Sequence, residues 1–174
     1  MILLHHPKSL DAPNLKETWQ WVEANRDKYN IVTRFVDMKD VASTSHFLQE
    51  YWDKNETIIY LGHDVVPSEG MVEALLNCPY DLCAQAALIY PAHTGLKEPV
   101  IALRKRDEFG SLSWISENEE WADAFNLELT KFTPKAQQMI PVPECSWQMI
   151  DNEMSKASPI KAHVHWPLVK HNSW

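Results

Sequence analysis

The stretch Thr57-Ile58-Ile59-Tyr60-Leu61-Gly62-His63-Asp64 decides the fold. Five β-branched, aromatic or aliphatic residues in a row, closed by a glycine and two polar residues, spell a short buried strand that stops at a polar turn. The same unit recurs upstream. Met1 to Leu4 is an apolar run that ends at His5-His6-Pro7, and Ile31 to Val36 is a β-branched run that ends at Asp37. Helical periods separate these strands. Asn14 is a candidate cap with Glu17 as its reciprocal partner, and Leu15, Trp19 and Val22 recur at i, i+4 and i+7. Ser43 to Ser45 are capping types, followed by Phe47, Leu48, Tyr51 and Trp52 on one helical face. Strands alternating with helices imply right-handed crossovers and a parallel sheet.

Downstream the pattern is more mixed. Pro67-Ser68 opens a helix with Val72, Leu75 and Leu76 facing inward, and Leu82 to Ile89 and Pro99 to Leu103 are further apolar runs. Residues Asp107 to Glu120 are polar and read as a loop. Phe125 to Phe132 reads as a strand leading into a short helix after Pro134. Ser146 caps a helix through Lys156, and Ala162 to His165 and Leu168 to His171 close the chain as strands. With no linker and no internal repeat, residues 1–174 form one α/β domain: a mostly parallel central sheet flanked by helices.

Composition narrows the function. The 174 residues are 45% hydrophobic, include eight Trp, and hold only four Gly beside eleven Pro, which is the make-up of a folded chain. The net charge of −8 argues against nucleic acid, which needs a basic face. The run Arg104-Lys105-Arg106 is followed at once by Asp107 and Glu108, so it reads as a solvated strand end. Three cysteines, Cys78, Cys83 and Cys145, are an odd set without paired spacing and read as thiols in a reducing compartment. The apolar start is too short for a leader or a membrane span, so a cytoplasmic protein is expected.

Candidate site residues follow from the strand ends. In an open α/β sheet, ligands bind beyond the carboxyl ends of the strands. His5, Asp37, His63 and Asp64 stand at three such ends and are the candidate cofactor-binding residues. Asp151 lies four positions after Trp147, on the apolar face that Ile150 and Met154 share, where a carboxylate must be paired, ligated or placed in a cleft. His163 and His165 share one strand face. Their spacing alone does not make a zinc site, because neither a Cys pair nor a helical HExxH accompanies them.

These residues resemble a known pattern. Ile58-Ile59-Tyr60-Leu61-Gly62-His63-Asp64-Val65-Val66-Pro67 resembles the strand and acidic turn of small GT-A glycosyltransferases of viruses, phages and microbes, in which the strand ends in a DxD-like turn. Leu76-Asn77-Cys78-Pro79, Leu82-Cys83-Ala84, Trp147 through Asp151, and His163 through His171 resemble later segments of that family in the same order. The resemblance implies a GT-A (nucleotide-diphospho-sugar transferase) fold. It also implies transfer of a sugar from a nucleoside-diphosphate donor to a hydroxyl acceptor. Asp64 and His171 would hold Mn²⁺ or Mg²⁺, and Asp151 would be the base of an inverting displacement. The family places an acid two residues before the metal-binding Asp; here that position is Gly62. Two other readings stay open. One is a nucleotide-sugar-binding protein without catalysis, which Gly62 favours. The other is a metallohydrolase in which His163, His165 and His171 converge with Asp64.

Overall fold

The run that the sequence singles out lies at the centre of a sheet. In the computed structural model, residues 1–7, 13–36, 40, 42–89, 99–146 and 149–171 are described, with the backbone alone at 5–7, 13–15, 36, 170 and 171. The first half alternates as expected: β1 (Ile2–Pro7), α1 (Pro13–Asn25), β2 (Ile31–Val36), α2 (Ser43–Trp52), β3 (Ile58–Leu61), β4 (Val65–Val66), α3 (Met71–Asn77) and β5 (Leu82–Ile89). The second half runs β6 (Val100–Ile101), β7 (Arg104–Arg106), β8 (Leu112–Trp114), β9 (Trp121–Ala122), β10 (Leu129–Phe132), α4 (Pro134–Met139), α5 (Ile150–Ala157) and β11 (Ala162–His171).

The main sheet is ordered β2-β1-β3-β10-β5-β11-β4, with β6 beside β5 and β9 beside β11. β1 pairs in parallel with β2 and β3, and β5 in parallel with β11. β10 is antiparallel to both β3 and β5, so the sheet is mixed and largely parallel. Among the described residues between β5 and β10, β9 reaches the amino edge beside Ala162 and His163, and the chain then returns to the carboxyl edge, from which β10 descends antiparallel to β3 and β5.

Both sheet faces are covered, which is why the central strands read as continuous apolar runs rather than alternating ones. Leu3, Ile58, Tyr60, Leu82, Ala84 and Val164 pack with Phe47, Leu48 and Trp52 of α2 and Ile150 and Met154 of α5. Their chain neighbours Ile2, Leu4, Ile59, Leu61, Cys83 and Val169 pack on the other face with Val22 of α1 and Met71, Val72 and Leu75 of α3. Each fully buried large side chain contributes roughly 1.5–3 kcal/mol. Among the described residues no helix is long and apolar enough to cross a membrane.

Four expectations shift. The polar stretch 107–120 contains the second strand of a small hairpin, β7–β8, which turns at Gly110 (φ 86°). The Asp107 carboxylate accepts the N–H groups of Phe109 and Ser111 across that turn. Its strands are three residues each and only partly buried, and the alternation Leu112-Ser113-Trp114 is too short to stand out from its polar surroundings. Leu76 faces solvent at 43% exposure, and Met71 fills the inward place instead. The helix expected from Ser146 is recorded from Ile150, with Met149 as its cap residue. Ala162–His165 and Leu168–His171 are one strand, β11, whose register against β5 shifts between His165 and Val169.

Candidate functional site

Three parallel strands deliver polar residues to one edge. β3 ends at Leu61, and the chain turns through Gly62-His63-Asp64, with the Val65 N–H donating to the Gly62 carbonyl at 3.2 Å. His63 and Asp64 are 8% and 5% exposed, so this turn is tucked into the edge. The Gly62 N–H donates to the Glu128 carbonyl at 2.6 Å, which places the residue before β10 directly against the turn.

That contact answers the departure noted at Gly62. A Cβ built on Gly62 would stand 2.6 Å from Glu128 Oε2, 3.1 Å from Val65 Cγ2 and 3.3 Å from Glu128 Cα. The Glu128 carboxylate thus occupies the space that a side chain at position 62 would fill. A carboxylate two residues before Asp64 is replaced in space by one from the neighbouring antiparallel strand. The sequence reading missed Glu128, because the strand pairing that brings it there is non-local.

Asp151 comes to the same edge from the first turn of α5, where Ile150 and Met154 anchor the helix in the core. Trp147, with which it was paired in sequence, lies outside the described residues. Burial pushes the Asp151 carboxyl up to about 6, and the nearby charge of Glu128 adds to this; the Asn152 N–H, which donates to Oδ1 at 2.7 Å, and Arg104 pull the other way. Tyr60 of β3 ties the group together. Its phenol is held well above its ordinary range by burial first, and then by the charges of Glu128, Asp151 and Asp64. Three carboxylates from three elements therefore converge electrostatically on one buried hydroxyl.

The remaining candidates divide. The His171 backbone pairs with Val65, one residue from Asp64, so β11 and β4 bring the two proposed metal ligands to the same place in the chain path. His5 lies one step beyond the Leu4–Leu61 pair, which sets its backbone level with Gly62. Asp37 falls outside the described residues.

His163 and His165 belong elsewhere. They sit at the start of β11, eight residues and roughly 25 Å of strand from His171. There they meet Cys78, at the end of α3, and Cys83, on β5. Among the described residues, Cys78, Cys83, His163 and His165 are the one group of three or more His, Cys, Asp or Glu whose ligand atoms all lie within 4.8 Å of one another. The Cys pair found wanting in the sequence is therefore present in space, and a centre joining all three imidazoles to Asp64 is not formed.

No protein-family model matches the chain, and no curated protein matches it in sequence. Among solved structures, the chain is similar to the crystal structure of A197 from STIV, with a TM-score of 0.57 and 17% identity, covering 97% of this chain and 96% of that one. At that identity the likeness is one of fold. The chain accordingly adopts a single-domain α/β fold, with a mixed, largely parallel sheet flanked by helices, that extends over nearly the whole of both proteins.

Proposed function

We propose that this protein is a GT-A-type glycosyltransferase that moves a sugar from a nucleoside-diphosphate donor to a hydroxyl acceptor, with inversion. The observation that supports the reading is the Glu128 carboxylate held against the Gly62-His63-Asp64 turn at the carboxyl edge of the sheet, where a nucleotide is expected to sit. Asp64 and Glu128, with His171, are the residues that would hold Mn²⁺ or Mg²⁺. That ion neutralises charge developing on the departing diphosphate.

The chain's own work is proton transfer and positioning. Asp151 takes the proton from the acceptor hydroxyl as its oxygen bonds to the anomeric carbon, and the bond from that carbon to the diphosphate oxygen breaks with its electron pair leaving on the diphosphate. A carboxyl near 6 is ionised at neutral pH and more basic than an ordinary aspartate, which suits a general base. Tyr60, held neutral by burial, keeps an uncharged hydroxyl within the field of the Glu128, Asp151 and Asp64 carboxylates.

Gly62 was the reason to consider a binding protein without catalysis, and the Glu128 carboxylate beside it supports the catalytic reading. The test is a melting-temperature screen of nucleoside diphosphates with and without Mn²⁺, followed by transfer from the matching sugar nucleotide. Stabilisation that needs both nucleotide and metal, with turnover, supports the proposal. Stabilisation without turnover on any hydroxyl acceptor favours the binding protein, and no stabilisation at millimolar nucleotide sinks both.

A further inference from the structure

The amino edge of the sheet holds a second constellation that sugar transfer does not use. Cys78 caps the carboxyl end of α3, Cys83 is the second residue of β5, and His163 and His165 stand on one face of β11, with ring centroids 5.0 Å apart. Cys83 pairs with His163 across the parallel ladder. The sheet itself therefore holds three of the four residues in register, and the short turn after α3 returns the fourth. We propose that Cys78, Cys83, His163 and His165 form a tetrahedral Zn²⁺ site that clamps α3, β5 and β11 together.

The geometry supports a soft metal with two sulfur and two nitrogen ligands. A tetrahedral zinc with Zn–S near 2.3 Å and Zn–N near 2.0 Å sets its ligand atoms about 3.3–3.8 Å apart. The Cys78 sulfur lies 3.6 Å from His163 Nδ1, inside that range. The two sulfurs are 2.8 Å apart, closer than a zinc-bound pair and longer than the roughly 2.05 Å of an S–S bond, so metal entry opens them by about 1 Å. His165 Nε2 is buried without a hydrogen-bond partner, a cost that coordination of this imidazole relieves.

Aromatic rings flank the cluster. Tyr80 and Trp121 pack on the His163 ring at 4.6 and 5.2 Å and on each other at 4.8 Å. The buried Lys131 ammonium donates to the Cys78 carbonyl at 2.6 Å and places a positive charge beside the sulfurs. Burial keeps both imidazoles below their ordinary range and thus neutral, with a lone pair to give. Burial also raises the Cys83 thiol, so the metal must displace its proton. Binding releases two protons, one from each thiol, and the resulting Zn²⁺ with two thiolates and two neutral imidazoles carries no net charge. No electron is transferred.

The test uses the whole reduced protein, stripped of metal and titrated with Co²⁺. One equivalent per chain should give intense visible d–d bands and a thiolate-to-cobalt charge-transfer band, and Zn²⁺ should bleach both. Cys83→Ser should lower the charge-transfer band to about half or weaken Co²⁺ binding, and His165→Gln should lose the tetrahedral spectrum. A variant that fails to fold leaves the wild-type titration to decide. Folded, reduced wild type that takes up no Co²⁺ overturns the proposal. So does an intact mass two hydrogens below the reduced value in protein purified without added oxidant, which would mark a Cys78–Cys83 disulfide instead. Nucleotide stabilisation by Mn²⁺ reports on the opposite edge, so either result leaves the glycosyltransferase reading to its own experiment.

Discussion

At the carboxyl edge of the sheet the gathered groups are oxygens, from Asp64, Glu128 and Asp151; at the amino edge they are two sulfurs and two imidazoles. The first edge is built of turns and the first turn of a helix, with Asp151 and Glu128 half-buried and Asp64 buried. The second is packed under Tyr80 and Trp121, with both sulfurs buried. Burial favours the neutral form at both, and so acts in opposite directions: it lifts the Asp151 carboxyl to about 6 and lowers the His165 imidazole to about 4. The difference teaches how one sheet divides its labour. Carboxylate oxygens suit a hard ion shared with substrate, whereas two sulfurs and two imidazoles suit an ion that stays.

The comparison breaks most visibly at Asp151. Asp151→Asn keeps the shape and removes the proton-accepting charge, so sugar transfer should fall by about 10²–10⁴-fold while nucleotide affinity stays within a few fold. Steady-state rates beside a nucleotide titration check this. Transfer at the wild-type rate would mean that another group is the base.

The pH dependence of stability sharpens the same contrast. The folded Asp151 has a raised pKa, so its neutral form is the one folding prefers, and its contribution is complete below about pH 4 and lost as pH rises through about 6. The loss amounts to about 3 kcal/mol at most. The unfolding free energy of Asp151→Asn minus that of wild type, measured by denaturant titration, should therefore grow as pH rises from 4 to 6 and then level. A difference that is flat across this range would place the carboxyl in water.

Asp64 separates binding from folding. At a nucleotide concentration a hundred times its Kd, ligand binding adds about 2.7 kcal/mol to stability. Asp64→Ala should abolish the Mn²⁺-dependent part of that gain and leave a soluble fold, as read from melting curves with and without metal. Collapse of the fold would make Asp64 a structural turn residue.

The smallest effect tests the exchange between strands. Gly62→Ala forces a methyl against the Glu128 carboxylate and should destabilise by about 1–3 kcal/mol. Gly62→Asp combined with Glu128→Ala moves the carboxylate back to the turn, and should recover metal-dependent nucleotide stabilisation that Glu128→Ala alone has lost. Failure of the double substitution would show that the acid must come from β10.

Local features of the fold were legible in the sequence, and pairings were not. The runs Met1–Leu4 and Thr57–Leu61 announced themselves because β1 and β3 are buried on both faces there, although β1 continues past Leu4 to Pro7; β2, at the sheet edge and partly exposed, was legible from its β-branched residues. β7 reads in the sequence as a solvated strand end, but β8 is hidden inside a polar stretch, because a partly exposed hairpin strand needs no long apolar run. Asp64 and Asp151 could be named from a turn and a helix period, which are short-range signals. Glu128 could not, since it meets Gly62 only through the pairing of β10 with β3. Cys78 and Cys83 likewise meet His163 and His165 across about eighty residues of chain, linked by the β5–β11 ladder.

β11 has one further consequence, in the order of events during synthesis. It is the last described strand in the chain, yet it lies inside the sheet, between β5 on one side and β4 and β9 on the other. Its first residues supply half of the amino-edge cluster, and its last lie beside the carboxyl-edge turn. A growing chain that has made everything up to α5 therefore carries an open slot with unpaired strand edges, and neither site can close. Because the late strand must find partners made long before it, docking of β11 is a slow, non-local step that completes both edges together.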